Sequence, residues 1–149
     1  MIARAIPKTG PRRRRLLYVE ERAENVALVE ALLAGRKDLL LLHAADANLG
    51  IKLARSRQPE AILIDFDLAG MSALEFLKVL RADPATETTP VLALATDTAP
   101  GTIVKALEAG FFQVLAKPLQ AAPFMEAVAF ALEFTAVERS EQKTFKESR

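Results

Sequence analysis

The strongest constraint on this chain is a repeated change of hydrophobic period. Short apolar runs occur at Leu16–Val19, Leu39–Leu42, Ala61–Ile64, Val91–Leu94 and Phe111–Leu115. Helical periodicity follows each of them. Asn25 to Leu33 reads as an amphipathic helix closed by Gly35. Asp46 suits the N-cap of a helix through Ala54, which must stop before Pro59. Ser72 and Glu75 form a capping box for the next helix. A fourth helix spans Thr102 to Ala109 and ends at Gly110, and a fifth spans about Gln120 to Val137. Buried runs too short for helices, alternating with helices through short links, predict an α/β fold. The sheet would be parallel, with five strands and five helices covering both faces.

The 149 residues and 51% hydrophobic content suit one domain with one core. Net charge is +1, and the absence of cysteine excludes disulfides and thiolate metal sites. No apolar run approaches the roughly 18 residues of a membrane span. The basic start carries no apolar signal-peptide segment, so a cytoplasmic location is expected. Residues 1–14, with the run Arg12–Arg15, are expected to form a flexible basic extension, and 138–149 a polar C-terminal tail. The arginine run is read as a solvated flank. With no recognition helix or second domain beside it, direct nucleic acid binding is not expected. The initial Met and polar tail suit a protein with one domain.

In folds of this kind the site lies at the carboxyl ends of the strands. The residues there are Glu20 and Glu21, Asp65 and Asp67, Ala95 and Thr96, and Lys117. Converging carboxylates repel one another unless a cation or proton offsets them. An all-oxygen donor set suits a hard ion such as Mg²⁺, which takes few carboxylates and keeps several waters. A metal beside a nucleophilic Asp and a Lys is equipped for phosphoryl transfer to a carboxylate. His43, the only histidine, has no imidazole partner and is read as structural or solvent-exposed. No phosphate-cradling glycine motif follows a strand, so nucleotide binding has no support.

The segments LLYVEERAEN, AILIDFDLAGMSALEFLKVLRADPAT, PVLALATD and AGFFQVLAKP, in that order, resemble the signature segments of response-regulator receiver domains. The resemblance runs from about Arg15 to Val137, making 15–137 the receiver domain. It implies the flavodoxin-like, doubly wound sheet of order 2-1-3-4-5. It also implies that Asp65 accepts a phosphoryl group from a partner kinase's phosphohistidine. Glu20 and Glu21 would match the acidic pair at Mg²⁺, Asp67 would offer its backbone carbonyl, and Lys117 would pair with the acceptor. Pro118 matches a proline often preceded by a cis bond.

Three positions depart from that pattern. Glu21 is longer than the usual aspartate by one methylene, about 1.5 Å of reach. It predicts a weakened metal site, or a side chain folded toward Lys117 in the space of the metal. Ala95 stands where the family places a switch hydroxyl; strand alternation turns Thr96 elsewhere, unless a local bulge brings its hydroxyl to the site in place of Ala95. Val114 stands where a rotating aromatic is common. Ser72-Ala73 in place of Asp-Gly is a milder change.

The last helix carries two apolar stripes, one of which includes Phe130, Phe134 and Val137. It is expected to form a self-association surface. The sequence therefore predicts a non-enzymatic, single-domain response regulator, phosphorylated on Asp65 by a histidine kinase or phosphotransferase and docking to an effector. The alternative is a pseudo-receiver of the same fold, acting as an interaction module without phosphorylation.

Overall fold

Period-two alternation along the central strands sends neighbouring side chains to opposite faces of one sheet, and helices cover both. The computed structural model describes residues 13–147. Its elements in chain order are β1 (Arg14–Val19), α1 (Ala23–Leu33), β2 (Leu39–Ala44), α2 (Ala47–Arg57) and β3 (Ala61–Asp65). They continue as α3 (Ala73–Arg81), β4 (Val91–Ala95), α4 (Pro100–Ala109), β5 (Gln113–Ala116) and α5 (Ala121–Glu147). The strands are parallel in the order β2-β1-β3-β4-β5, the expected flavodoxin-like topology.

Leu17, Val19, Ile62, Ile64, Val91 and Ala93 face one way, against Ile51 of α2, Phe76, Leu77 and Leu80 of α3, and Ala106 of α4. Leu16, Tyr18, Leu63, Leu92 and Leu94 face the other, against Val29 of α1 and Phe124, Val128 and Leu132 of α5. Every residue of β3 and β4 is buried, as expected for the middle of a doubly covered sheet. Gly50 lets α2 approach β1 closely: a Cβ there would lie 2.8 Å from Val19 Cγ2 and 3.1 Å from Phe76 Cε1.

Capping follows the expected chemistry. Asp46 accepts the Leu49 N–H at 2.8 Å and Ser72 the Glu75 N–H at 3.1 Å. Gly110 ends α4 at φ +114°, a conformation that favours glycine.

Three sequence expectations need correction. β5 is Gln113–Ala116 rather than Phe111–Leu115. Phe111 instead turns into the core edge-on to Phe66, with ring centroids 5.4 Å apart. α5 runs to Glu147, ten residues past the expected end at Val137, so most of the polar tail is helical. Arg139 on that extension donates to the carbonyls of Gln58 and Pro59, and the Thr135 hydroxyl donates to the Glu60 carbonyl. The basic run is also tied into the fold from Arg13 onward. Arg13 donates to the Leu39 carbonyl at 2.8 Å, Arg14 pairs with Asp38 at 3.2 Å, and Arg15 donates to the Arg57 carbonyl. The rest of the expected extension, through Arg12, lies outside the described residues.

Candidate phosphoacceptor site

The carboxyl edge of the sheet brings the ends of β1, β3 and β5 together. Asp65 ends β3 and is buried, 4% exposed. Its Oδ2 lies 2.7 Å from Lys117 Nζ, and its Oδ1 accepts the Asp67 N–H at 2.7 Å. Burial alone would push this acid up. The Lys117 ammonium and the Asp67 N–H together hold it below the usual carboxylate range. Lys117 moves in the complementary sense: burial works to lower it, and Asp65 raises it above its ordinary value. The pair is therefore carboxylate and ammonium at neutral pH. The peptide from Lys117 to Pro118 is cis.

Glu20 follows β1 and is also buried, 2% exposed. Its carboxylate accepts from the Tyr18 hydroxyl at 3.2 Å, the Asn25 side-chain amide at 3.0 Å and the Arg22 N–H at 3.1 Å. Burial, then the Glu20 charge, pushes the Tyr18 hydroxyl above the usual phenol range, so it stays a donor. Tyr18 and Asn25 were not singled out from the sequence. The signal was present for Tyr18: residues two apart on a strand share a face, so a tyrosine at this spacing shares the face of the glutamate.

Of the two alternatives for Glu21, the fold toward Lys117 is not the one adopted. Its carboxylate accepts the Ala69 N–H at 3.3 Å, across the loop after β3, and does not fold onto Lys117. Ala95 is buried at the end of β4 and offers no hydroxyl, while its carbonyl accepts the Lys117 N–H at 3.0 Å. Thr96 does not turn away from the site as alternation suggested. The strand has ended at Ala95, and the Thr96 hydroxyl donates to Asp67 Oδ2 at 2.7 Å. Asp67 lies at the mouth, 62% exposed and 3.5 Å from Lys117 Nζ. Val114 packs half-buried against the α4-side core. His43 reaches the Glu20 backbone carbonyl through Nε2 at 2.7 Å. A cleft of about 330 Å³ opens beside Lys117, lined by Tyr18, Arg22, Asn25, Leu28, Thr96 and Leu119 among others.

These residues fit a hard divalent cation. Asp65 and Glu20 are both buried acids at this edge, and Lys117 pairs with Asp65 and not with Glu20, so the two oxygen-bearing groups share no full set of cationic partners. Glu20 receives three donors where a carboxylate has about four lone-pair sites, so acceptor capacity remains. Among the described residues no three acidic or histidine side chains gather into a metal-binding group.

Comparison with known proteins gives one consistent result. The family described as response regulator receiver domain matches residues 16–129. The sensor histidine kinase AruS of Pseudomonas aeruginosa is 33% identical over 107 residues, covering 70% of this chain and 11% of that protein. The chain spans only 11% to 31% of the length of the first curated relatives it matches. Among solved structures, the chemotaxis response regulator CheY4 of Vibrio cholerae superposes with a TM-score of 0.73 at 22% identity, over 80% of this chain and 99% of that one. The receiver domain of sensor histidine kinase PA1611 from Pseudomonas aeruginosa, with a magnesium ion in its active site cleft, gives 0.71 at 23% identity, over 83% and 98%.

Proposed function

Given that the chain belongs to the response regulator receiver domain family of two-component signalling, we propose that it accepts a phosphoryl group on Asp65 and signals through protein–protein contacts. The observation that carries this reading is the buried Asp65–Lys117 pair, 2.7 Å apart, whose carboxylate is held ionised at the carboxyl edge of the sheet. A buried, ionised oxygen beside a fixed ammonium is both nucleophile and charge sink. As transfer proceeds, the Asp65 oxygen forms the new bond to phosphorus and the bond to the leaving group breaks. Lys117 is then placed to pair with a phosphoryl oxygen.

Mg²⁺ would be held by Asp65, Glu20 and the Asp67 carbonyl, and would supply neutralisation of the phosphoryl charge. Glu21, drawn toward Ala69, would reach it through water if at all. Tyr18, Asn25 and the Arg22 N–H hold Glu20 in place, and the Asp67 N–H orients Asp65. The donor would be a phosphohistidine on a histidine kinase or phosphotransferase, entering by the cleft beside Lys117. The domain would work as a single-domain cytoplasmic regulator rather than an enzyme, with an effector protein as its target.

A second copy of this chain would dock on α5. Phe130 is 66% exposed, and Val137 and Phe134 continue its stripe. Phe112 braces the two phenylalanine rings from β5's entry, with centroid distances of 5.5 and 5.3 Å.

The test of the acceptor is intact mass after incubation with acetyl phosphate, with and without Mg²⁺. A Mg²⁺-dependent gain of one phosphoryl group, absent in Asp65→Asn, is expected. No adduct with acetyl phosphate or with a kinase would leave the second reading: a pseudo-receiver that acts without phosphorylation. Ala95 and Val114 favour that second reading, since both parts of the usual relay are missing.

A further inference from the structure

Asp67 is the charged group of the site that the acceptor reading leaves without a side-chain role. Its N–H is fixed on Asp65 Oδ1, so its side chain must leave the backbone beside the acceptor. Its carboxylate then bends back over Lys117, 3.5 Å from Nζ, although it is well exposed to water. An exposed carboxylate gains little from one surface ion pair and would ordinarily sample many rotamers. Here the Thr96 hydroxyl holds it by a 2.7 Å hydrogen bond. The two residues come from different loops, after β3 and after β4, so their contact bridges the mouth above Asp65.

We propose that Thr96 and Asp67 form a clasp over Lys117 that slows entry of anionic phosphodonors to Asp65. The proposal rests on Asp65 being the acceptor. An arriving phosphoryl group brings negative oxygens to the ammonium that Asp67 already faces, and it meets a like charge there. Either the carboxylate swings out, breaking its bond to Thr96, or the donor approaches against repulsion. Thr96 acts as a positioning residue: it touches neither acceptor nor donor and works by directing Asp67. With alanine at position 95, the adjacent hydroxyl is committed to the clasp, not to the acceptor.

The clasp is tested by initial rates of adduct formation from acetyl phosphate and Mg²⁺, followed by intact mass. In that reaction an Asp65 oxygen bonds to phosphorus, the phosphorus–oxygen bond to the acetyl group breaks, and acetate leaves with the electron pair. Wild type is compared with Thr96→Val, Asp67→Asn and the double variant. Each single change is expected to raise the rate about three- to ten-fold, the scale of one like-charge contact near 4 Å in water. The double variant should be no faster than the faster single, because both changes release one contact. Added salt should accelerate wild type more than Asp67→Asn, since screening weakens the repulsion, and a purely structural role for Thr96 would not alter that dependence.

Unchanged or slower single variants, or fully multiplicative effects in the double, overturn the clasp while leaving Asp65 as acceptor if wild type forms the adduct. Adduct on the released variants but not on wild type supports the clasp in its strongest form. No adduct on any of the four chains overturns the acceptor reading and the clasp with it.

Discussion

The Asp65–Lys117 pair ties the chemistry of the site to its pH response. Folded Asp65 ionises below its ordinary value of 3.8, so on acidification the unfolded chain takes up this proton first. Its contribution to stability is complete above about 3.8 and is lost as pH falls through the folded value. Lys117, raised above 10.5, contributes fully below that value and loses its contribution as pH rises through the folded value. Urea unfolding of Asp65→Asn should therefore show a shallower fall of stability below pH 3.8 than wild type; equal slopes would contradict the assignment. Tyr18→Phe makes a separate test. It removes a donor from a buried carboxylate and should cost about 1.5–3 kcal/mol, the range for hydrogen bonds to charged groups. A denaturation midpoint unchanged from wild type would show that Glu20 does not depend on it. Residue chemistry at the strand ends was legible because the acidic, lysine and alanine positions follow buried runs directly. The direction of Glu21 and the second role of Asp67 were not, since both depend on loop backbone that no periodicity describes.

At the scale of elements, the order of strands and helices was readable from alternating period, while several ends were not. Phe111 and Phe112 carry the apolar character of a strand, yet Phe111 packs edge-on to Phe66 and pairing with β4 begins at Gln113. Apolarity marks burial, and a connector can be buried as well as a strand. The extension of α5 is the converse. Residues 138–147 contain no glycine or proline, so polarity signalled solvent rather than the end of a helix, and Arg139 fastens that stretch to the loop before β3. The close contact of α2 with β1 at Gly50 carries its own prediction. Gly50→Ala gains helix propensity but drives a methyl group into Val19 and Phe76. Overpacking of this kind should outweigh the gain and cost about 1–3 kcal/mol in a urea titration. A variant more stable than wild type would show that the helix can shift outward freely.

For the whole molecule, the question is whether an event at Asp65 reaches a distant surface. Self-association through α5 is one such surface, and light scattering at high concentration should detect a dimer that Phe130→Glu abolishes; a monomer in both cases removes the proposal. Transmission is a separate matter. A ligand shifts a conformational equilibrium only as far as it binds the two states differently. In this chain the residue at the end of β4 has no hydroxyl to draw toward a phosphoryl oxygen, and Val114 has no ring to swing behind it. Toward β4 and α4 the site connects through the Asp67–Thr96 contact, which leads into the loop before α4, and through the Lys117 peptide bonded to Ala95. α4 buries only Ala106 among its residues, the fewest of the five helices. Phosphorylation should therefore loosen or shift α4 through the Thr96 loop while leaving β5 and α5 nearly as they were. Hydrogen exchange with and without acetyl phosphate and Mg²⁺ would resolve this. Altered protection confined to residues 96–109 is expected, and a change of equal size along β5 and α5 would mean that a relay survives without the hydroxyl and the aromatic.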